Sequence, residues 1–368
     1  MLYNHVEAPM SRYLIPLSLT TSILAGAAVA DVPNVAVDIA PVHSLVARVM
    51  EGVGTPALIV QQGGSPHEYS LRPSEARALQ DADLVFWMGE DLTPWMEDSL
   101  ETLAPDAEVT SLLDSEGTVL LDFREDALFA AHSHGDKAPG EEGDHDHAEH
   151  AEGGDNDHAH EEHSDDEAHD NEDHANGDDH DHGDHAESHE DDHDHAQGDH
   201  DPHAWLSPEN AMTWYNVIAS QLSAADPDNA GAYFANAAAA REEIAAVSAE
   251  VAATLDPVRD RRFIVFHDAY QYFETAFDFP ASGAISISDA SDPSPARIAE
   301  IQGRIADEGV SCVLSEPQFN PGVVATVMDG AEARTSVLDP LGSDLEPGAG
   351  LYPQLLRNLA TSLADCLA

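Results

Sequence analysis

The chain has 368 residues and a formal net charge of −57 at pH 7, with 71 acidic against 14 basic residues. The length is sufficient for two domains. Such a charge excludes nucleic acid as a partner, disfavours an anionic membrane surface and attracts cations.

The first 30 residues are predicted to be a secretory signal peptide. Arg12 supplies its positive charge, a short apolar run follows, and "AVA" at 28–30 is typical of a cleavage site. The mature chain is therefore expected to begin at Asp31, whether translation starts at Met1 or at Met10. No later segment reaches the roughly 18 apolar residues of a membrane span, so we expect no anchor.

Apolar runs at 35–40, 56–60 and 83–89 predict short buried strands, and helices are predicted at 44–52 and 73–82. Strands that alternate with helices favour parallel α/β layers. These elements belong to a predicted N-terminal lobe, residues 31–222.

A histidine-rich insert, residues 132–200, interrupts this lobe. It holds 17 of the 22 histidines, including five H-x-H pairs, and 27 acidic residues against one basic residue. With almost nothing apolar to bury, it is predicted to be disordered. Its histidines are expected to bind several ions, each more weakly than a folded site would. An acidic spacer without a role in uptake is the alternative.

A long helix is predicted to join the two lobes, within a segment at 223–257. Ser207 and Pro208 open the preceding helix, and Asp226 and Pro227 mark a second start. No helix breaker follows until Pro257. A curved surface helix of a single domain is the alternative interpretation.

A second α/β set is predicted in a C-terminal lobe, residues 258–368. A helix that begins at Ser294 carries an isoleucine stripe, which indicates core packing. The predicted fold is therefore α/β: two parallel-sheet lobes joined by one long rigid helix, with a metal site in the cleft between them. The strands are predicted from apolar runs at 262–270, 283–288, 312–318 and 335–342.

Three of the four histidines outside the signal peptide and the insert share a setting. His67 follows a predicted strand, His203 precedes a helix start, and His267 ends a strand. Because ligands bind at the carboxyl ends of strands in open α/β sheets, the three imidazoles are expected to meet at one rim. Three imidazoles suit Zn²⁺, with Asp339 or water as the fourth ligand. His43, at a helix start, is interpreted as a capping or turn residue.

The chain has two cysteines, Cys312 and Cys366. An even pair in an exported protein favours a disulfide, and two separate buried thiols are the alternative.

The segments "GGSPHEYSLRPS", "DPHAWLSP", "FHDAYQYFE", "SEPQF" and "LDPLG" together resemble the zinc-binding periplasmic proteins of ABC importers, the ZnuA type. The resemblance runs over nearly the whole mature chain in the same order, and a histidine-rich insert is also a feature of that family. It implies Zn²⁺ ligation by His67, His203 and His267, with Asp339, water or Glu68 as the fourth ligand. It also implies the disulfide.

The function expected from this resemblance is high-affinity capture of Zn²⁺ in the periplasm and its delivery to the membrane permease of an ABC importer by transient docking. We expect a monomer and no enzymatic activity. The alternatives are a manganese-binding importer component, a zinc storage or buffer protein or surface adhesin, and a zinc hydrolase that uses Glu68, Asp268 or Glu316 as a base.

Overall fold

A computed structural model of the protein describes residues 32–124, 200–286 and 293–368. The predicted signal peptide and residues 132–199 of the histidine-rich insert lie outside these ranges. Across the described ranges, no helix combines the length and apolar character needed to cross a bilayer.

The N-terminal half contains a four-stranded parallel sheet in the order β2-β1-β3-β4. The central strands are apolar and buried on both faces, as expected when helices cover both sides of a parallel sheet. The elements in chain order are β1 (Val35–Val37), α1 (Ala40–Val49), β2 (Ala57–Leu58), α2 (Pro73–Gln80), β3 (Leu84–Trp87), α3 (Pro94–Leu103) and β4 (Glu108–Ser111).

The C-terminal half repeats this arrangement with a parallel sheet in the order β6-β5-β7-β8. The two sheets confirm the predicted α/β fold with two parallel-sheet halves. The elements are β5 (Phe263–His267), α6 (Gln271–Phe277), β6 (Ala284–Ser286), α7 (Pro295–Glu308), β7 (Cys312–Ser315), α8 (Pro321–Val327) and β8 (Arg334–Val337).

Long helices lie between and after the two sheets: α4 (Pro208–Ala225), α5 (Ala230–Leu255) and α9 (Leu351–Leu367). The predicted Ser207 cap is present, because its hydroxyl accepts a hydrogen bond from the Asn210 backbone at 3.2 Å. The joining helix is shorter than the predicted segment. Residues 223–225 end α4 and residues 227–229 form a 3-10 turn, so α5 begins only at Ala230.

The start of α5 is displaced because the Asp226 carboxylate does not cap a helix in the usual way. It accepts hydrogen bonds from the Asn229 side chain at 2.7 Å and from the Tyr233 hydroxyl at 2.9 Å. From there α5 packs against α1, α4 and α9, so one helix contacts elements of both halves.

The largest apolar core is continuous across both sheets and the long helices. The predicted isoleucine stripe of α7 packs in a smaller cluster beneath the second sheet, where Ile301 and Ile305 are buried and Ile298 is partly buried. The predicted disulfide is also present: Cys312 of β7 and Cys366 of α9 are bonded, which ties the last helix to the second sheet.

The described segments on either side of the histidine-rich insert are joined to each other. Asp122 and His200 form an isolated antiparallel bridge, and the Asp201 backbone N–H donates to the Leu121 carbonyl at 2.8 Å. His203 therefore lies three residues beyond the place where the insert rejoins the fold.

Candidate metal centre

Three histidines from distant parts of the chain converge in the structure. His67 lies in the loop between β2 and α2, His203 lies directly before a 3-10 turn that leads into α4, and His267 is the last residue of β5. One ring nitrogen of each lies within 4.8 Å of the other two. His203 and His267 are each 5% exposed, and His67 is partly buried.

The spacing of two of these nitrogens matches that of ligands on a single zinc ion. His203 Nε2 lies 3.3 Å from His267 Nε2. Two nitrogens bound to one tetrahedral zinc at 2.0–2.1 Å are about 3.3–3.4 Å apart. The ring centroids of His67 and His203 are 5.4 Å apart, and those of His203 and His267 are 5.2 Å apart.

Each of the two buried rings is oriented by a buried carboxylate. Asp201 Oδ1 lies 2.7 Å from His203 Nδ1 and accepts the His203 backbone N–H at 3.0 Å. Glu316 Oε1 lies 2.8 Å from His267 Nδ1 and accepts the backbone N–H of the same residue at 3.3 Å. When ionised, each carboxylate only accepts hydrogen bonds, so Nδ1 then carries the proton and Nε2 presents its lone pair. In metal sites, a hydrogen bond of this kind from the second ring nitrogen fixes the tautomer and the orientation of a metal-binding histidine.

The two carboxylates are held where an uncompensated negative charge is costly. Burial raises the pKa of Asp201 to about 7, although the backbone hydrogen bond from His203 and the positive charge of Arg124 favour the ionised form. Burial likewise raises the pKa of Glu316, against the effect of His267. A cation bound at the rings would stabilise both ionised carboxylates.

The site opens into a small cavity between the two halves of the molecule. Its walls include the rings of Trp205 and Phe319. The Trp205 ring centroid lies 5.2 Å from that of His203, and the Phe319 ring centroid lies 5.3 Å from that of His267. The cavity volume is about 20 Å³, which is enough for one ion or about one water molecule. An organic ligand requires several hundred Å³.

A buried ion pair fixes the chain next to this site. The Arg124 guanidinium donates to both oxygens of Asp268, the residue after His267, and to both oxygens of Glu274 in α6, with distances of 2.8–3.0 Å to Glu274. These contacts join Arg124, on the N-terminal side of the insert, to Asp268 at the end of β5 and to Glu274 of α6.

The structure does not bring the two carboxylates predicted as possible fourth ligands, Asp339 and Glu68, into the group of ring nitrogens. Among the described residues, neither Asp339 nor Glu68 belongs to the group of ligand atoms within 4.8 Å of one another. The Asp339 carboxylate instead accepts the backbone N–H groups of Leu341, Gly342 and Ser343 at 3.0, 3.1 and 2.5 Å, because the turn after β8 directs these amides towards it. The side chain of Glu68 is exposed.

His43 is also placed differently from its predicted role. It lies inside α1 and is buried, and its Nε2 lies 3.1 Å from the Pro56 carbonyl oxygen. It therefore does not cap the helix but links α1 to the chain that leads into β2.

The sequence interpretation missed the orienting role of Asp201 and Glu316. Both were recognisable in principle. Asp201 stands two residues before His203, within reach of the same ring. Glu316 follows β7, which pairs with β5, so its side chain is expected at the same sheet edge as His267.

A family model described as "Zinc-uptake complex component A periplasmic", ZnuA, matches residues 35–366. The chain belongs to the ZnuA family. The high-affinity zinc uptake system protein ZnuA of Brucella suis biovar 1 is 44% identical to this chain over 361 residues, which cover 97% of the chain and 99% of the relative. The protein of the same name from Paracoccus denitrificans is 44% identical over 357 residues, with coverages of 96% and 98%.

A crystal structure of ZnuA superposes with a TM-score of 0.65 and covers 92% of this chain and 100% of that chain. The sequence identity in this superposition is 19%, so the structural similarity shows the shared ZnuA-like fold alone. The family is one of periplasmic transport components, which agrees with the predicted class of protein.

Proposed function

We propose that this chain captures Zn²⁺ in the periplasm through His67, His203 and His267 and delivers it to the membrane permease of an ABC importer. The observation that carries the proposal is the facing pair of Nε2 atoms of His203 and His267, 3.3 Å apart. The Nδ1 atoms of both rings are already bound to carboxylates. The names of the relatives, which describe high-affinity zinc uptake, support the same ion.

The ligand set favours zinc over manganese. Imidazole nitrogen is a borderline donor that binds Zn²⁺ well, whereas Mn²⁺ prefers carboxylate, carbonyl and water oxygens. The nearest carboxylates, Asp201 and Glu316, contact ring nitrogens and so act on the ion through the rings. Two negative charges beside three neutral rings also balance the charge of a divalent ion.

The cavity supports an ion as the cargo. A volume of about 20 Å³ leaves no room for the organic substrate that a zinc hydrolase would need beside its metal. A buffer protein that stores zinc in its insert would not need three ordered histidines in a buried cleft. We therefore propose a binding component of a transporter, active as a monomer.

We also propose the division into lobes at 31–222 and 258–368, joined by the segment 223–257, after removal of the signal peptide at 1–30. Contacts across the cleft support small movements of the lobes on release of the ion. Trp205 Nε1 donates to the Pro340 carbonyl at 2.8 Å, and the Tyr352 backbone N–H donates to Ser44 Oγ at 2.9 Å.

Metal selectivity tests the proposal. The full chain is stripped of metal, equilibrated with equal concentrations of Zn²⁺ and Mn²⁺, passed through a chelating resin and analysed for both metals. We expect tightly held zinc and no retained manganese, with the tight zinc lost when His203 and His267 are both replaced by alanine. Preferential retention of manganese would establish the manganese importer instead.

Delivery is tested in a zinc-limited bacterial strain that lacks this chain but keeps its permease. The wild-type chain should restore growth and the double alanine variant should not. Equal growth with both chains would contradict a role for these histidines in uptake.

A further inference from the structure

The three histidines of the proposed site are held to different degrees. His203 and His267 are each 5% exposed, and both rings contact buried carboxylates. His67 is only partly buried and stands on a loop, residues 59–72, that joins the two-residue strand β2 to α2. We call this segment the His67 loop. Its position decides whether the third imidazole reaches the other two.

The start of α3 contacts the His67 loop directly before His67. Trp95 Nε1 donates a hydrogen bond to the Pro66 carbonyl oxygen at 2.7 Å. This carbonyl and the backbone N–H of His67 belong to one planar peptide group. The indole therefore fixes the plane from which the Cα and the side chain of His67 extend.

Trp95 also contacts the His67 loop after His67. Its ring centroid lies 5.8 Å from that of Tyr69, within the range of favourable aromatic pairs. The Tyr69 hydroxyl accepts the Gln61 backbone N–H at 3.3 Å and donates to Glu75 Oε1 at 2.9 Å. The chain is thus held on both sides of His67, and Trp95 makes a contact on each side.

Trp95 stands on a firmly anchored element. It is the second residue of α3, and the neighbouring residues Thr93 and Met96 are fully buried. The Thr93 backbone N–H and hydroxyl both donate to the carbonyl of Gly89, at 3.2 and 3.3 Å, and Gly89 lies two residues beyond the central strand β3. A donor on a rigid element is suited to position a ligand that stands on a loop.

We propose that Trp95 is the positioning residue of His67 and that its contacts with Pro66 and Tyr69 set how long bound zinc stays. This inference rests on the proposed zinc site. A ligand must be held within about 0.5 Å of its productive position, so loosening of the Pro66–His67 peptide weakens the bond between His67 and zinc. Because His67 is the least buried of the three ligands, its departure opens the ion for release.

The variant Trp95→Phe tests the hydrogen bond, because it keeps an aromatic ring beside Tyr69 and removes the indole N–H. Trp214→Phe is the matched control. Trp214 Nε1 also donates one hydrogen bond, to Thr118 Oγ1 at 2.9 Å, but Trp214 is fully buried in the main core and does not line the cavity of the site. A loss caused by general destabilisation should therefore be at least as large in the control.

Zinc release is measured on the full chain loaded with one equivalent of zinc, by stopped-flow mixing with excess chelator. The folded state of each metal-free variant is checked by circular dichroism. Loss of a contact that orients a ligand typically weakens metal binding 10- to 100-fold. We expect release about tenfold faster than wild type from Trp95→Phe, and within about twofold of wild type from Trp214→Phe. Equal rates from Trp95→Phe and wild type would overturn the proposal.

A double-mutant cycle with His67→Ala separates positioning of His67 from a general structural role. Zinc affinity is measured by chelator competition. In the chain with His67, Trp95→Phe should weaken binding about tenfold, whereas in the His67→Ala chain the same replacement should change it by less than about twofold. An equal loss in both backgrounds would show that Trp95 acts on another part of the protein and would overturn this inference alone. Unchanged affinity of His67→Ala would overturn the proposed zinc site, and this inference with it.

Hydrogen exchange of the indole N–H groups tests the same coupling in the wild-type chain. If the Trp95 hydrogen bond favours zinc binding, zinc must favour that hydrogen bond to the same degree. We expect the Trp95 indole proton to exchange several-fold more slowly in the zinc-loaded than in the metal-free full chain, measured by NMR with the Trp214 indole proton as internal control. Identical exchange of the Trp95 proton in both states would contradict the inference.

Discussion

Replacement of Asp201 by asparagine should weaken zinc binding although no metal ligand is changed. The asparagine oxygen can still accept the hydrogen bond from His203 Nδ1, now 2.7 Å from the carboxylate, so the ring should keep its position. What the variant loses is the negative charge behind the ring. The experiment therefore measures how much that charge contributes to holding the cation.

The size of this contribution follows from the geometry. The hydrogen bond, the imidazole ring and a zinc–nitrogen bond together place the carboxylate about 7 Å from the ion. A charge of −1 and a charge of +2 at that distance interact by about 5 kcal/mol at an effective dielectric constant of about 20. Burial raises the pKa of Asp201 to about 7, so part of the free protein is protonated at neutral pH, and the net loss is smaller. We expect a loss of about 100-fold, or about 2.7 kcal/mol.

The assay is chelator competition at pH 7 on Asp201→Asn and on Asp226→Asn as a control. Asp226 is equally buried and accepts hydrogen bonds from Asn229 and Tyr233, but it has no contact with the candidate site. The control should bind zinc as wild type does. If Asp201→Asn binds within twofold of wild type, the charge behind the ring contributes nothing and the reasoning is refuted.

Removal of residues 132–196, which keeps the Asp122–His200 bridge, should lower total zinc stoichiometry and leave one tight site; an unchanged stoichiometry would show that the insert binds no ions. Replacement of Cys312 and Cys366 by serine should lower the free energy of unfolding by about 4 kcal/mol, because the disulfide closes a loop with a sequence separation of 54, and a denaturant-midpoint change worth less than 1 kcal/mol would argue against it. Burial raises the pKa of Asp38 to about 7, against about 3.9 in the unfolded chain. The native state therefore binds more protons between these values, and the contribution of Asp38 to stability falls by about 1.4 kcal/mol per pH unit as pH rises from about 4 to about 7. Asp38→Asn should remove this slope from urea unfolding curves, and identical slopes in both proteins would contradict it. Small-angle scattering should show similar radii of gyration with and without zinc, whereas a large compaction would rule out small lobe movements.

The sheet positions could be predicted from sequence because buried parallel strands are continuous apolar runs. The runs at 35–40 and 83–89 contain β1 and β3, but each is longer than its strand. β1 ends at Val37. The next residue, Asp38, is polar, and its carboxylate accepts the Ile39 and Met88 backbone N–H groups. β4 was not predicted, since none of the residues of this edge strand, Glu108–Ser111, is buried and the strand has no apolar run.

The convergence of the three histidines could be predicted because each stands where a strand ends or a helix begins. The acidic residues that contact the histidine rings could not be identified from the sequence in the same way. The sequence places Asp339, Asp201 and Glu316 equally near predicted strand or helix ends. Only the structure shows that backbone amides of the next turn engage Asp339, while Asp201 and Glu316 reach ring nitrogens.

The central claim is that His67, His203 and His267 form the tight zinc site. The most direct test is the zinc affinity of the protein without residues 132–196 in which all three histidines are replaced by alanine, measured by chelator competition beside the same protein with its histidines intact. The account predicts that the intact version keeps one tightly bound zinc and that the triple variant loses it. Retention of tight zinc binding by the triple variant would contradict the account.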